Sequence, residues 1–304
     1  MGIIKNIYSS NNNLGKEKLD EPHFDSNLAT NMVNGQTNAE LTVILRILFH
    51  PVTWVDDDVY GSPENMKIKD VGGAEFSIVE WPSSKVFDEF CKTALWQANQ
   101  YWNGYAGNGR LWLKTPDYVD GLDWPFGAMN PTHRANIWCR FRCERTLDST
   151  RAHIKVRVVR LPNKSAGPLG FRSHMTLWDH VDTLSASFSS SGSKSMFYTV
   201  VHEVGHCIGQ HHIGEVHQLP ACISGGSGNA CYGAGSTFAS NVMGLGSNIE
   251  PDNAITWQKR VVRHFPDCPS LPQDWAPSNK RIYPRLLSSF CPYSYDPGMT
   301  PDAW

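Results

Sequence analysis

One eleven-residue run constrains this chain more than anything else in it: His202-Glu203-Val204-Gly205-His206-Cys207-Ile208-Gly209-Gln210-His211-His212. On an α-helix His202 and His206 stand about 400° apart, one turn and about 40°, so both imidazoles leave one face and can meet at one ion. Glu203 projects beside them, within reach of water at that ion but outside the ligand set. Val201, Val204 and Ile208 form the apolar stripe that docks the helix on a core. A third imidazole at 212 on an unbroken helix would lie about 80° away and about 15 Å along the axis. Gly209 removes that obstacle, because glycine enters the left-handed conformation freely, ends a helix and lets the chain turn back. His212 then completes three ligands, while His211, one residue short, is the competing third ligand and His217 a more remote one. Three protein ligands with one position open is the pattern of a catalytic zinc, since structural zinc sites close with four. The plainer reading, a buried helix with incidental histidines, leaves two imidazoles and a carboxylate hard to satisfy in an apolar core.

The same residues resemble the HExxHxxGxxH pattern and following methionine turn of the metzincin zinc endopeptidases, with Ser240-Asn241-Val242-Met243-Gly244 as the turn. The resemblance covers residues 197–245. It implies an α+β, metzincin-like zincin fold: a mixed twisted sheet, a long backing helix, an active-site helix and a small irregular C-terminal subdomain. It also implies Zn2+ as cofactor, held by His202, His206 and His212, with Gly209 shaping the turn and Met243 as an apolar floor beneath the ligands. Zinc would bring its water toward a pKa of about 7, and Glu203 would act as general base in hydrolysing a peptide bond. By the same analogy an extended protein or peptide substrate would pair with an antiparallel edge strand within residues 154–161. Two positions depart from the pattern. Ile213 follows the third histidine where relatives carry Asp, Glu or Pro, and Leu245 stands where some relatives place a tyrosine ligand. The resemblance is therefore to a divergent metzincin of no named subfamily. Two other readings share the site: a zinc-binding peptide-recognition or adhesion module without catalysis, and a zinc amidase acting on cell-wall peptides. Glu203 speaks against the first, since a binder has no need of that carboxylate.

Composition divides the chain. Residues 1–39 hold eight asparagines and few large apolar side chains, a flexible polar lead segment by the entropy argument. Residues 40–304 form the metallopeptidase domain, with 40–212 carrying the sheet and zinc helix and 213–304 the C-terminal part with the methionine turn. A strand is expected over 41–54, broken at Pro51. A long amphipathic helix is expected over 84–105, on Val86, Phe87, Phe90, Ala94, Leu95, Ala98 and Tyr101, with Ser83 or Ser84 as cap and Gly104 as stop. Strands follow at 109–115, 135–146 and 153–161, then a flexible loop at 189–195, the zinc helix at 196–210, a short helix within 252–265 and an irregular Pro-rich remainder from Pro266.

A net charge of -2, with 18% charged residues, provides no field to draw nucleic acid or an anionic membrane. LTVILRIL, the longest apolar run, is too short for a bilayer and contains Arg46, so no transmembrane segment is expected. The first residues lack signal-peptide anatomy, and Asn6 stands where myristoylation wants Ser or Thr. Eight cysteines nevertheless suit an oxidising compartment, which makes the chain a candidate secreted effector or toxin exported without a recognisable signal peptide, with the cytoplasm as the alternative. No CxxC pair suggests a second zinc. Cys222 and Cys231 flank a Gly-rich stretch that a disulfide would brace, and Cys268 with Cys291 is a second candidate pair. Cys139 and Cys143, about 13 Å apart along a strand, cannot bond each other. Cys207, Trp138, Trp178 and Trp257 read as core, the tryptophans in preference to a sugar cleft.

Overall fold

Leu41, Val43, Leu45, Ile47 and Phe49 fall on alternate residues, so a strand sends them to one face, and all are buried. The computed structural model describes residues 6–8, 23–33, 36–104, 111–114, 136–162, 170–190, 193–224 and 228–261. The first strands are β1 (Asn6–Tyr8), β2 (Asp25–Val33) and β3 (Gln36–Pro51), followed by a small antiparallel sheet of β4 (Tyr60–Ser62), β5 (Asn65–Lys69) and β6 (Glu75–Ile78). Helix α1 (Ser84–Trp102) leads to β7 (Trp112–Lys114), β8 (Asn136–Arg145), β9 (Ile154–Val159) and β10 (Leu177–Asp179). A hairpin of β11 (Ala186–Ser190) and β12 (Ser193–Phe197) precedes α2 (Thr199–Cys207). Three single-turn helices follow, α3 (Ile213–Val216), α4 (Pro220–Ile223) and α5 (Gly228–Cys231), then a 3-10 turn (Pro251–Ala254) running into α6 (Ile255–Val261).

The architecture is α+β. The main sheet is mixed, with β3 at its centre antiparallel to β2 and parallel to β8 and β9. Helix α1 backs it. Its buried positions Phe87, Phe90, Cys91, Ala94, Ala98 and Trp102 recur at three and four and join the β3 face and Val200, Val201 and Val204 of α2 in one core. Val86, expected in that stripe, is instead 45% exposed. Ser83 caps the helix through its side chain on the Val86 N–H, and the chain leaves through Gly104 at φ +71.

Where β7 no longer pairs with β8, Asn99 of α1 and Asn103 at its C-cap take its place. The Asn99 amide donates to the Cys143 carbonyl at 3.0 Å and accepts from the Cys143 N–H at 2.8 Å, and Asn103 does the same at Phe141, at 2.8 and 2.9 Å. Each side-chain amide thus imitates a neighbouring strand.

Several expectations change. Residues 25–33 and 36–39, assigned by composition to a polar lead, pair with each other or with neighbouring strands in the sheet, because ladder hydrogen bonds satisfy their backbone whatever their side chains. Residues 193–197 are a strand, not the end of a loop and the first turn of a helix, so α2 starts at Thr199. Strand β9 is not a free antiparallel edge: it is parallel and has β3 on one side and β10 on the other. The expected helix within 252–265 is split into the 3-10 turn and α6. The remainder from Pro266 and the Cys268/Cys291 pair lie outside the described residues. Cys222 and Cys231 are disulfide-bonded, and Cys139, Cys143 and Cys207 are buried thiols. Trp138, Trp178 and Trp257 are core residues. Among the described residues no helix is long and apolar enough to cross a membrane.

Candidate metal centre

Helix α2 ends in a turn that the glycine makes possible. Gly209 has φ +83, its N–H donates to the His206 carbonyl at 2.9 Å, and the Gln210 N–H reaches back to the Gly205 carbonyl at 3.0 Å. This is the paired-bond motif by which a left-handed glycine closes a helix. The Gln210 side chain then anchors the turn, donating to the Asn253 carbonyl at 3.0 Å and to the Thr256 hydroxyl at 2.6 Å. His212 is thereby returned to the helix face.

The outcome is three converging imidazoles. His206 Nε2 lies 3.1 Å from His202 Nε2 and 3.1 Å from His212 Nε2. The tautomers of two of them follow from their partners: His202 Nδ1 faces the Val242 carbonyl at 2.9 Å and His206 Nδ1 the Gln210 carbonyl at 2.8 Å, and a carbonyl only accepts. Both Nδ1 atoms therefore carry the proton, and both Nε2 atoms offer lone pairs. Burial, with the neighbouring histidines adding, holds His202 well below the usual imidazole range and brings His206 down to about 3. Neutral imidazoles turned lone pair to lone pair are what a cation fits. A tetrahedral zinc with Zn–N near 2.0–2.1 Å needs ligand atoms about 3.3 Å apart, close to the spacing observed. His202, His206 and His212 can hold a metal ion together.

The other candidates stand elsewhere. His211 is directed at Glu215, 3.4 Å away, and His217 pairs with Asp252 at 2.8 Å while stacking on Phe238. Glu203 is 5% exposed, lines the cleft with His206 and His212, and its Oε2 has no hydrogen-bond partner among the described residues. Burial, then the nearby Asp182, pushes its carboxyl well above the usual range.

Met243 is buried directly against the helix. A Cβ on Gly205 would sit 2.3 Å from Met243 Sδ and 2.8 Å from Trp102 Cζ2, so only glycine lets α2 approach this closely. The Met243 loop also ties the ligands together from below. The Val242 carbonyl orients His202, and the Met243 carbonyl accepts the Ile213 N–H at 3.0 Å, next to His212.

Three contributors were not legible in the sequence. The Tyr232 ring packs 4.4 Å from His212 and 5.3 Å from His202, and it follows Cys231 of the disulfide. Its only sequence signal was that adjacency. Asp182 is a buried acid beside Glu203, holding the Ser173 hydroxyl and the Asp179 N–H and pushed up to about 8 by burial and Asp179. Arg172 stands on the cleft wall. The cleft encloses about 850 Å3 and is bordered by Glu203, His206, His212, Tyr232, Arg172 and Leu245. It is large enough for several residues of an extended peptide. No family model, curated protein or solved structure matches this chain.

Proposed function

We propose that this chain is a zinc-dependent endopeptidase of metzincin type. The observation that carries the reading is the convergence of three imidazole Nε2 atoms beside a buried carboxylate oxygen that has no hydrogen-bond partner among the described residues, in an open cleft. An all-imidazole donor set suits zinc among the common ions. Bound zinc supplies a Lewis acid that acidifies water and polarises the scissile carbonyl. Glu203 Oε2 accepts the proton of the attacking water and delivers it to the departing amine nitrogen. Tyr232 and Met243 hold the imidazoles in place around it. The left-handed Gly209, the returned His212 and the methionine packed under the helix support the metzincin type. The Cys222–Cys231 disulfide, which persists in oxidising surroundings, supports an exported protein.

The test is Glu203→Ala. Hydrolysis in an unbiased peptide-library digest should fall by at least about a hundredfold while the purified protein keeps one zinc per chain. Undiminished cleavage by this variant, or cleavage that survives complete zinc removal, would overturn the mechanism.

A further inference from the structure

We propose that Arg172 makes the cleft selective for peptides that present a carboxylate, either an acidic side chain or a free C-terminus, to the wall formed by residues 170–175. The inference rests on the endopeptidase reading and assigns its substrate class.

Arg172 is exposed on that wall between the buried Phe171 and Met175, so its backbone is held from both sides. Its own N–H donates to Asp70 Oδ2 at 3.1 Å. The side chain lies across the turn at Gly72, where an added Cβ would stand 3.1 Å from Nη1 and 3.2 Å from Cδ, so the absence of a side chain at Gly72 shapes its resting place.

Apart from Glu203, the acids of the cleft are already engaged. Asp179 faces His180 at 2.7 Å, Glu215 lies 3.6 Å from His212 and 3.4 Å from His211, and Asp182 holds the Ser173 hydroxyl and the Asp179 N–H. Asp70 accepts the Arg172 N–H on one oxygen and the Ala74 N–H, at 2.8 Å, on the other. Among the described residues the Arg172 guanidinium has no carboxylate within ion-pair distance. Arg172 borders the same cleft as His206, His212 and Tyr232, so the cation and the histidine cluster face one space. An exposed guanidinium in the cleft, with no carboxylate within ion-pair distance among the described residues, is a fork for a carboxylate, and a substrate is the partner that fits it.

Matched peptides separate the two sources of that carboxylate. One set carries Asp or Glu at successive positions with an amidated C-terminus; the other is neutral with a free C-terminus; a neutral amidated peptide is the reference. The ratio of kcat/KM for the preferred carboxylate peptide over the reference should fall about tenfold in Arg172→Ala, chiefly through KM, recover partly in Arg172→Lys, and invert toward Lys- or Arg-containing peptides in Arg172→Glu. Binding of the same peptides to zinc-loaded Glu203→Gln, followed by fluorescence anisotropy, should show the same order and weaken with added salt. Arg172-dependent binding without cleavage by the unaltered protein would sink the endopeptidase reading and leave this one standing. A ratio and a binding order unchanged by both Arg172→Ala and Arg172→Glu would overturn the role of Arg172.

Discussion

Gly209 does work that no other residue type can do without strain. At φ +83 a side chain costs roughly 1–2 kcal/mol, and relieving that strain moves the turn that carries His212. Gly209→Ala is therefore expected to lose about 1–2 kcal/mol of stability and, separately, to weaken zinc binding by about tenfold or more. Thermal melts with and without zinc and a competitive zinc titration check the two effects. An alanine that leaves zinc affinity intact would mean that His212 does not depend on the turn. Gly205 is needed for a different reason, since the obstacle there is Met243 and Trp102 and not the backbone. That distinction could not be read along the chain: helical periodicity places His202, His206 and Gly209, whereas the neighbour of Gly205 comes from a segment far downstream. Tyr232 and Arg172 are the same case. Both reach the cleft from segments whose local pattern says nothing of the histidine cluster.

Among the elements, α3, α4 and α5 are four residues each, too short to persist without tertiary support. What holds them is packing and one covalent link. A Cβ on Gly214 would lie 2.5 Å from the Ala230 carbonyl oxygen and 2.7 Å from that of Cys231, so α5 rests on α3 through bare backbone, and the Cys222–Cys231 disulfide joins α4 to α5. Tyr232 leaves this unit to cover His212 and His202. By the loop-closure argument the bond contributes about 2.5 kcal/mol. The Cys222→Ser, Cys231→Ser double variant should melt several degrees lower and release zinc faster, because the tyrosine loses its support. Calorimetry and zinc release to a chromogenic chelator measure both, and an unchanged release rate would show that Tyr232 is held without the disulfide. The bridge was legible in the sequence from its flanking position. Its consequence, an aromatic cover over two histidines, was not.

At the scale of the whole molecule, Asp182 sits where the parts meet. Its carbonyl accepts the Val200 N–H at the start of α2 at 3.3 Å, its carboxyl organises Ser173 and Asp179 of the cleft wall, and the adjoining Thr183 carbonyl accepts from Gln97 of α1 at 2.7 Å. Burial and Asp179 raise its carboxyl from 3.8 to about 8. A folded value above the unfolded one means that the fold prefers the protonated acid. The stabilisation is complete below pH about 4 and is lost as pH rises through about 8. Melting temperature should therefore decline from about pH 5 to about pH 9, and Asp182→Asn, which keeps the neutral shape, should flatten that decline. If the variant and the unaltered protein show parallel pH profiles, the acid is ionised in the fold and the dependence arises elsewhere.

The sequence by itself determined the local facts: which residues can converge on an ion, where the helix bearing them must stop, the long helix and four of the sheet strands, and which cysteines close a loop. Each of these depends on spacing within a dozen or so residues, and helix and strand periods report such spacing directly. Only the tertiary structure decided the rest. It made β9 an interior parallel strand, since pairing depends on which distant strands lie alongside, and it drew residues 25–33 and 36–39 into the sheet through backbone hydrogen bonds that composition does not encode. It also set Met243 under Gly205, Tyr232 over the histidines and Arg172 on the cleft wall. Those contacts join segments far apart in the chain, and burial, charge and fit between distant segments are properties of the packed molecule alone.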